Sequence, residues 1–298
     1  MKGFQWPEGK KLAVAPLVAW ELWPDDLGSS SSHQETSQRP LPRGVKYDRD
    51  MRDVYEHAYA ERGGLRRLLD LFEAYEVRVT FAVSGKRVEV NPDLARDVLC
   101  RGHELASESY VHEYPVMYTR EEEREELRKT VEAFERVLGV RPSGYVSPGH
   151  RQTPSTLPLL FELGYEWHAD FQGDDVPFLI RNGDQVIVAM PCAHVSDYET
   201  YPRSVRSPRE VLQMLRDELF VALREAERGE PRIFAYMIHP FLCRGFRTAI
   251  LEDLFEALKR LPQVWITTRK DIADWVREHP GNLPERSLEE ILADFPEE

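Results

Sequence analysis

Short apolar runs and stripes of 3.6-residue period alternate along this chain, a pattern that predicts parallel strands joined by helices. Residues 12–20 form the first apolar run and read as a buried strand. The run follows Met1-Lys2 and loosely imitates a secretory leader. It starts late, contains Pro16 and ends in Trp20-Glu21-Leu22-Trp23 with no small-residue cleavage site, so the strand is the better reading. Residues 77–83 alternate and are β-branched, which gives another strand. Residues 145–147, 165–168, 186–191, 233–238 and 264–267 complete the set.

Helices fall between these runs. One opens at Gly63-Gly64 with Leu65, Leu68, Leu69 and Phe72 on one face, and one spans 92–100 with Pro92 in its first turn. Thr119 and Glu122 form a capping box ahead of a stripe of Leu127, Val131, Phe134 and Leu138, which stops at Gly139. Ser207 and Glu210 repeat the device before Val211, Leu212, Leu215 and Leu219. Residues 154–163, 249–261 and 270–279 are helical by the same criteria. About seven β-then-α units result, which predicts an α/β fold with its parallel sheet closed or nearly closed into a barrel.

Residues 25–50 are too long for an ordinary connection and read as a functional lid or a poorly ordered loop. No composition shift divides residues 1–280, read as a single barrel domain. In the tail, residues 281–298, Ser287 caps a short helix with Leu288, Ile291, Leu292 and Phe295 on one side. That helix is expected to dock on its own barrel or on a neighbouring subunit.

A net charge of -13 argues against nucleic acid or an acidic membrane surface as partner. No apolar run reaches membrane-spanning length. The three cysteines, Cys100, Cys192 and Cys243, are far apart and form no paired motif, so a reducing cytoplasm is expected.

The chemistry lies at strand ends. Glu21 closes the first strand, Glu108 and His112 stand four apart in Gly102-His103-Glu104-Leu105-Ala106-Ser107-Glu108-Ser109-Tyr110-Val111-His112, and His239-Pro240-Phe241 closes the run 233–238. In a parallel barrel those ends converge on one face, where active sites are built. Two carboxylates and a neutral imidazole suit one divalent ion, zinc or another first-row metal. The same groups suit a metal-free site in which Glu21 or Glu108 is the base, or a hydrogen-bonded polar cluster with no catalytic role.

These segments, with Arg62-Gly63-Gly64, Gly144-Tyr145-Val146-Ser147-Pro148, Gly173-Asp174-Asp175-Val176-Pro177-Phe178, Met190-Pro191, Ser196-Asp197 and Ile272-Ala273-Asp274-Trp275, resemble the polysaccharide deacetylase (NodB-homology) superfamily. The resemblance spans about residues 11–275 and is strongest to its cytoplasmic branch of allantoinases, cyclic imide hydrolases and peptidoglycan-deacetylase-like proteins. It implies a distorted (β/α)7 TIM-like barrel. Metal-dependent members of that family use an Asp base held by an Arg, an Asp-His-His metal triad and a His acid. Here the base position falls on Ala19, the triad on Glu21, Glu108 and His112, the Arg on Val146, and the acid on His239.

The resemblance therefore implies a hydrolase of non-peptide C–N bonds acting on a small amide, imide, ureide or N-acyl substrate. The catalytic groups it implies are Glu21, Glu108 and His239; the metal ligands it implies are Glu21, Glu108 and His112; main-chain N–H groups of residues 145–149 would steady an oxyanion. Trp20, Tyr110, His150, Arg151 and Asp175 are expected to contact substrate, with Arg151 a substitute for the missing guanidinium. His168, His194 and Asp197 are assigned supporting or surface positions. Members of the branch are often tetramers, so a homo-oligomer is expected. The alternative is a catalytically altered member that binds a small molecule without turnover.

Overall fold

The computed structural model describes residues 3–24, 51–193, 195–203 and 206–295. The segment 25–50 and His194 lie outside the described residues.

The first strand is split. β1 (Leu12–Val14) and β2 (Leu17–Trp20) flank Ala15-Pro16, and Pro16 has no N–H to give a ladder. After α1 (Met51–His57) and a π turn at Ala60–Gly64 come α2 (Leu65–Ala74), β3 (Thr80–Val83), α3 (Gly85–Val90), α4 (Pro92–Cys100) and β4 (Glu104–Ser107). α5 (Arg120–Leu138), β5 (Gly144–Tyr145), α6 (Thr156–Leu163) and β6 (Trp167–Phe171) follow. A hairpin, β7 (Phe178–Asn182) and β8 (Gln185–Pro191), leads to β9 (Val195–Ser196) and α7 (Pro208–Ala226). Another split strand, β10 (Ile233–Phe234) and β11 (Tyr236–Ile238), precedes α8 (Gly245–Lys259), β12 (Val264–Ile266) and α9 (Arg269–Glu278).

Two sheets result, ordered β10-β1-β12 and β13-β7-β8-β6-β5-β4-β3-β2-β11-β9, where β13 is Glu285–Ser287 in the tail. The pairings are parallel except β7 with β8. This is the α/β, distorted NodB-type barrel architecture, in which β8 pairs with β6 and β9 pairs with β11. The antiparallel hairpin was not in the pattern reading. Its two-residue loop puts Gly183 at φ 58°, and Asn182-Gly183 is the signal that was available for it.

Period two sorts the strand residues. Ala13, Ala19, Ala82, Ala106 and Ala169 face the barrel interior with Val146, Trp167 and Met237. Leu12, Val18, Trp20, Phe81 and Val83 face outward, under the helices. Small interior residues keep the barrel narrow. The tail is not a detached appendage: β13 pairs with β7, and Ile291 of α10 (Leu288–Leu292) is buried against Ile180 and Ile187 of the same chain.

Candidate active site

A cavity of about 360 Å³ opens at the C-terminal ends of the strands. Glu21, Glu108, His112 and His239 are all in its wall, although they lie on three distant segments.

Glu21 follows β2 with inward parity. Its backbone carbonyl accepts from Arg87 Nη2 at 2.7 Å, and Arg87 also pairs with Glu61 at 3.1 Å. Trp20 donates its indole N–H to the same Glu61 at 2.8 Å. Trp20 was expected in the pocket wall. Period two turns it outward, where it is fully buried in the outer core and braces Glu21 from behind. Its place is taken by Trp23, whose N–H donates to Glu21 Oε2 at 2.7 Å and whose ring stacks on His112 at 3.9 Å. Trp23 lies two residues beyond Glu21 on the same side of the chain, the one cue for it in the sequence.

Glu108 and His112 sit in the turn after β4, not on a helix. Ser109 takes φ 64° there, and the α3 backbone pins the turn through Gly85 N–H to Ser109 O and Lys86 N–H to Tyr110 O, both 2.9 Å. Tyr110, expected to contact substrate, turns away from the cavity: its hydroxyl donates to Glu89 at 2.9 Å, and Lys86 and Lys129 lie over its ring. Tyr114 and Tyr198 supply the aromatic walls instead.

His112 Nε2 lies 3.3 Å from Glu21 Oε1 and 3.8 Å from Glu108 Oε1. His239 Nε2 lies 3.3 Å from the same Glu21 oxygen. Behind His239, Asp197 accepts the ring Nδ1–H at 2.6 Å and the backbone N–H at 2.8 Å. Asp197 therefore orients the ring rather than serving as a surface group.

The charges are partitioned. Burial opposes ionisation of Glu21, but the His112 and His239 imidazoles overcome it and hold the carboxyl down at about 2. Burial, and then the Glu21 charge, push Glu108 well above the usual range. Burial lowers His112, which favours the neutral ring. Burial acts the same way on His239, but Glu21 and Asp197 outweigh it and raise the imidazolium well above the ordinary value. The surroundings thus favour the ionised form of Glu21 and of His239 and disfavour the charged form of Glu108 and of His112.

Glu21, Glu108 and His112 each offer a donor atom within 4.8 Å of the others. Ligands about 2.0–2.1 Å from a tetrahedral ion stand about 3.4 Å apart, close to the 3.3 and 3.8 Å found here. Glu108 Oε2 is buried with no hydrogen-bond partner, so it has a free coordination position. The donor set fits a first-row divalent ion.

His150, Arg151 and Cys192 also line the cavity. Gly149 and His150 both take positive φ, 65° and 54°. A Cβ on Gly149 would stand 2.6 Å from the Tyr114 ring. His150 Nδ1 lies 3.4 Å from Asp170 Oδ1, and Asp170 also accepts Ser147 N–H at 3.0 Å. Asp170 was not among the expected site residues. β6 slips register between His168 and Phe171, and that bulge turns Asp170 toward the site. Arg151 reaches the cavity rim, where it stacks on Tyr114 at 4.6 Å.

Asp175 does not line the cavity. Its side chain is 57% exposed and pairs with Arg232 at 2.5 Å. Residues 145–149 offer less to an oxyanion than expected, because Val146 N–H is given to Ser107 O and Ser147 N–H to Asp170. Ala19 and Val146 are buried in the apolar interior.

A polysaccharide deacetylase family model matches residues 53–168, a stretch that holds Glu108 and His112. A peptidoglycan deacetylase from Helicobacter pylori is 31% identical over 133 residues, which cover 44% of this chain and 45% of that protein. The match thus spans less than half of the relative's length. A solved structure from Mycobacterium smegmatis, with a provisional polysaccharide deacetylase name, superposes with a TM-score of 0.81 at 26% identity and 96% coverage of both chains. Puue allantoinase superposes with a TM-score of 0.80 at 24% identity, over 92% of this chain and 93% of that one, a likeness of fold. Among the described residues no helix is long and apolar enough to cross a membrane.

Proposed function

We propose that this chain, which resembles the polysaccharide deacetylases in family model, homologue and fold, hydrolyses a non-peptide C–N bond in a small amide, imide, ureide or N-acyl substrate. The observation that carries this reading is the convergence of Glu21, Glu108, His112 and His239 on one cavity wall. The cavity volume, about 360 Å³, favours a small ligand over a long polymer segment.

Each group has a task matched to its protonation. The Glu21–Glu108 pair holds one negative charge between two carboxyls and takes the proton of the attacking water. His239, kept as an imidazolium by Glu21 and Asp197, gives its proton to the departing nitrogen. Trp23 holds Glu21 and His112 in register through its N–H and its ring face. A divalent ion held by Glu21, Glu108 and His112 would supply a water of lowered pKa and polarise the carbonyl. Such a water needs no separate base, which makes Ala19 tolerable.

A binding protein without turnover is the second reading. Ala19 and Val146 favour it, since an apolar side chain stands at each place where the family has a working group.

Elemental analysis of protein purified without chelator, beside Glu108→Ala, tests the metal. About one first-row ion per chain, lost in the variant, supports the metal-assisted form. Turnover is tested on cyclic imides, ureides and N-acetyl amines, with mass spectrometry of the product. Hydrolysis adds one water and should be abolished in His239→Ala. Tight binding of a panel compound with no product would favour the binding reading.

A further inference from the structure

Among the described residues, Arg151 is the only lysine or arginine that lines the cavity, in a chain of net charge -13. Its guanidinium lies over the Tyr114 ring at 4.6 Å, and that ring stands 6.0 Å from the His112 ring, edge to face. The cation is therefore one aromatic ring away from the cluster of Glu21, Glu108 and His112. Arg151 makes no ion pair with a described carboxylate, so it grips neither Glu21 nor Glu108 and does not substitute for the missing guanidinium. Lying on Tyr114 occupies the face of the guanidinium and leaves its in-plane N–H donors open. Those donors take a carboxylate through two parallel hydrogen bonds.

The segment that carries Arg151 is fixed in place. Gly149 and His150 take φ of 65° and 54°, and a Cβ on Gly149 would stand 2.6 Å from Tyr114. The turn thus packs on the same ring that carries the guanidinium. A second unmet group lies on this segment. Ser147 is 1% exposed and lines the cavity, and its Oγ has no hydrogen-bond partner. A buried hydroxyl without a partner in a cavity wall marks a place where a ligand can supply one.

We propose that the substrate of this cavity is an amide bearing one carboxylate, which Arg151 holds while the scissile carbonyl lies against Glu21, Glu108 and His239. The inference rests on the reading of the cavity as an amide-hydrolysing site, and deepens it by naming the substrate class. Electrostatics sets the orientation. Glu21 and Glu199 already place carboxylates in the wall, so a substrate carboxylate is repelled beside them and attracted beside Arg151. One guanidinium offsets one negative charge, which favours a carboxylate over a phosphate dianion. A spacing of one aromatic ring puts the carboxylate a few bonds from the carbonyl, as in an N-acyl amino acid or the monoamide of a dicarboxylic acid. Arg151 is then a binding residue that sets specificity.

The test uses two matched pairs: N-acetylglycine beside N-propylacetamide, and succinamate beside butyramide. The wild type should favour the anion in at least one pair, and the preference should weaken as salt rises. Arg151→Gln should lower the anion-to-neutral ratio of kcat/KM about tenfold to a hundredfold, chiefly through KM. Arg151→Lys, which keeps the charge and loses the fork, should fall between. Equal use of both members of each pair, or an unchanged ratio in Arg151→Gln, overturns the proposal and leaves the hydrolase reading standing. If the wild type hydrolyses none of the four, the hydrolase reading fails, and calorimetry then decides the subsite. Binding of succinamate or N-acetylglycine that weakens about tenfold or more in Arg151→Gln supports it. Binding of neither, or binding indifferent to Arg151, overturns it.

Discussion

Two buried glutamates four residues apart on the same segment divide this molecule into two regimes. Glu104, at the start of β4, accepts from Thr80 Oγ1 at 2.7 Å, Trp167 Nε1 and Lys270 N at 2.9 Å, and Ser143 Oγ at 3.2 Å. Glu108, just past the end of β4, is as deeply buried, yet its Oε2 has no hydrogen-bond partner. Burial raises both carboxyls. Glu104 ties three strands to α9, and its lone pairs are used up. Glu108 faces open space, and its unmet oxygen is available to a metal or a substrate. A buried polar group that is satisfied stabilises a fold, and one that is not is a place to look for function.

The largest effect should come from breaking the satisfied region. Glu104→Ala leaves four donors without their acceptor and should cost on the order of 3–5 kcal/mol, read as a fall in the urea midpoint. Glu108→Gln should do the reverse. Turnover should drop by about 10²–10⁴-fold while the midpoint stays put or rises. A large stability loss in Glu108→Gln, with activity intact, would erase the contrast between the two glutamates.

Gly64 links the two regimes. A Cβ there would stand 1.7 Å from Pro240 O, beside His239. Gly64→Ala should cost about 1–3 kcal/mol and displace the general acid, so stability and activity should fall together. An unchanged kcat would show that the His239 segment is not set by this contact.

A further effect is expected in the pH dependence of stability. The folded value of His150, about 10, lies above the ordinary 6.5. Its contribution is therefore complete below about pH 6.5 and is lost as the pH rises from there through about 10. Urea midpoints of the wild type should decline across that window more steeply than those of Asp170→Asn. Parallel profiles would remove the Asp170–His150 coupling.

Much of this arrangement was readable in the chain. Capping boxes at Thr119 and Ser207 open α5 and α7 where the sequence puts them, and the apolar runs become strands. Glu21, Glu108, His112 and His239 meet because each follows a strand whose end lies on the same barrel face. Trp20 was expected in the pocket wall and Trp23 was given no role, although strand parity turns Trp20 outward, and Trp23 lines the cavity instead. Asp170 was out of reach, because a bulge in β6 sets its direction and nothing in Trp167-His168-Ala169-Asp170 announces the slip. The contact of Cys192 with His150 was also out of reach: His150 is 42 residues away and takes a backbone conformation that composition does not encode.

The sequence by itself determined the succession of strands and helices, the face on which their ends gather, and the residues available there. Those properties follow from local periodicity and caps, which nearby residues set. Tertiary structure alone decided which buried polar groups are saturated and which face the cavity. Saturation depends on neighbours brought from far along the chain, as Thr80, Ser143, Trp167 and Lys270 are brought to Glu104, and only the folded packing fixes where such neighbours run out.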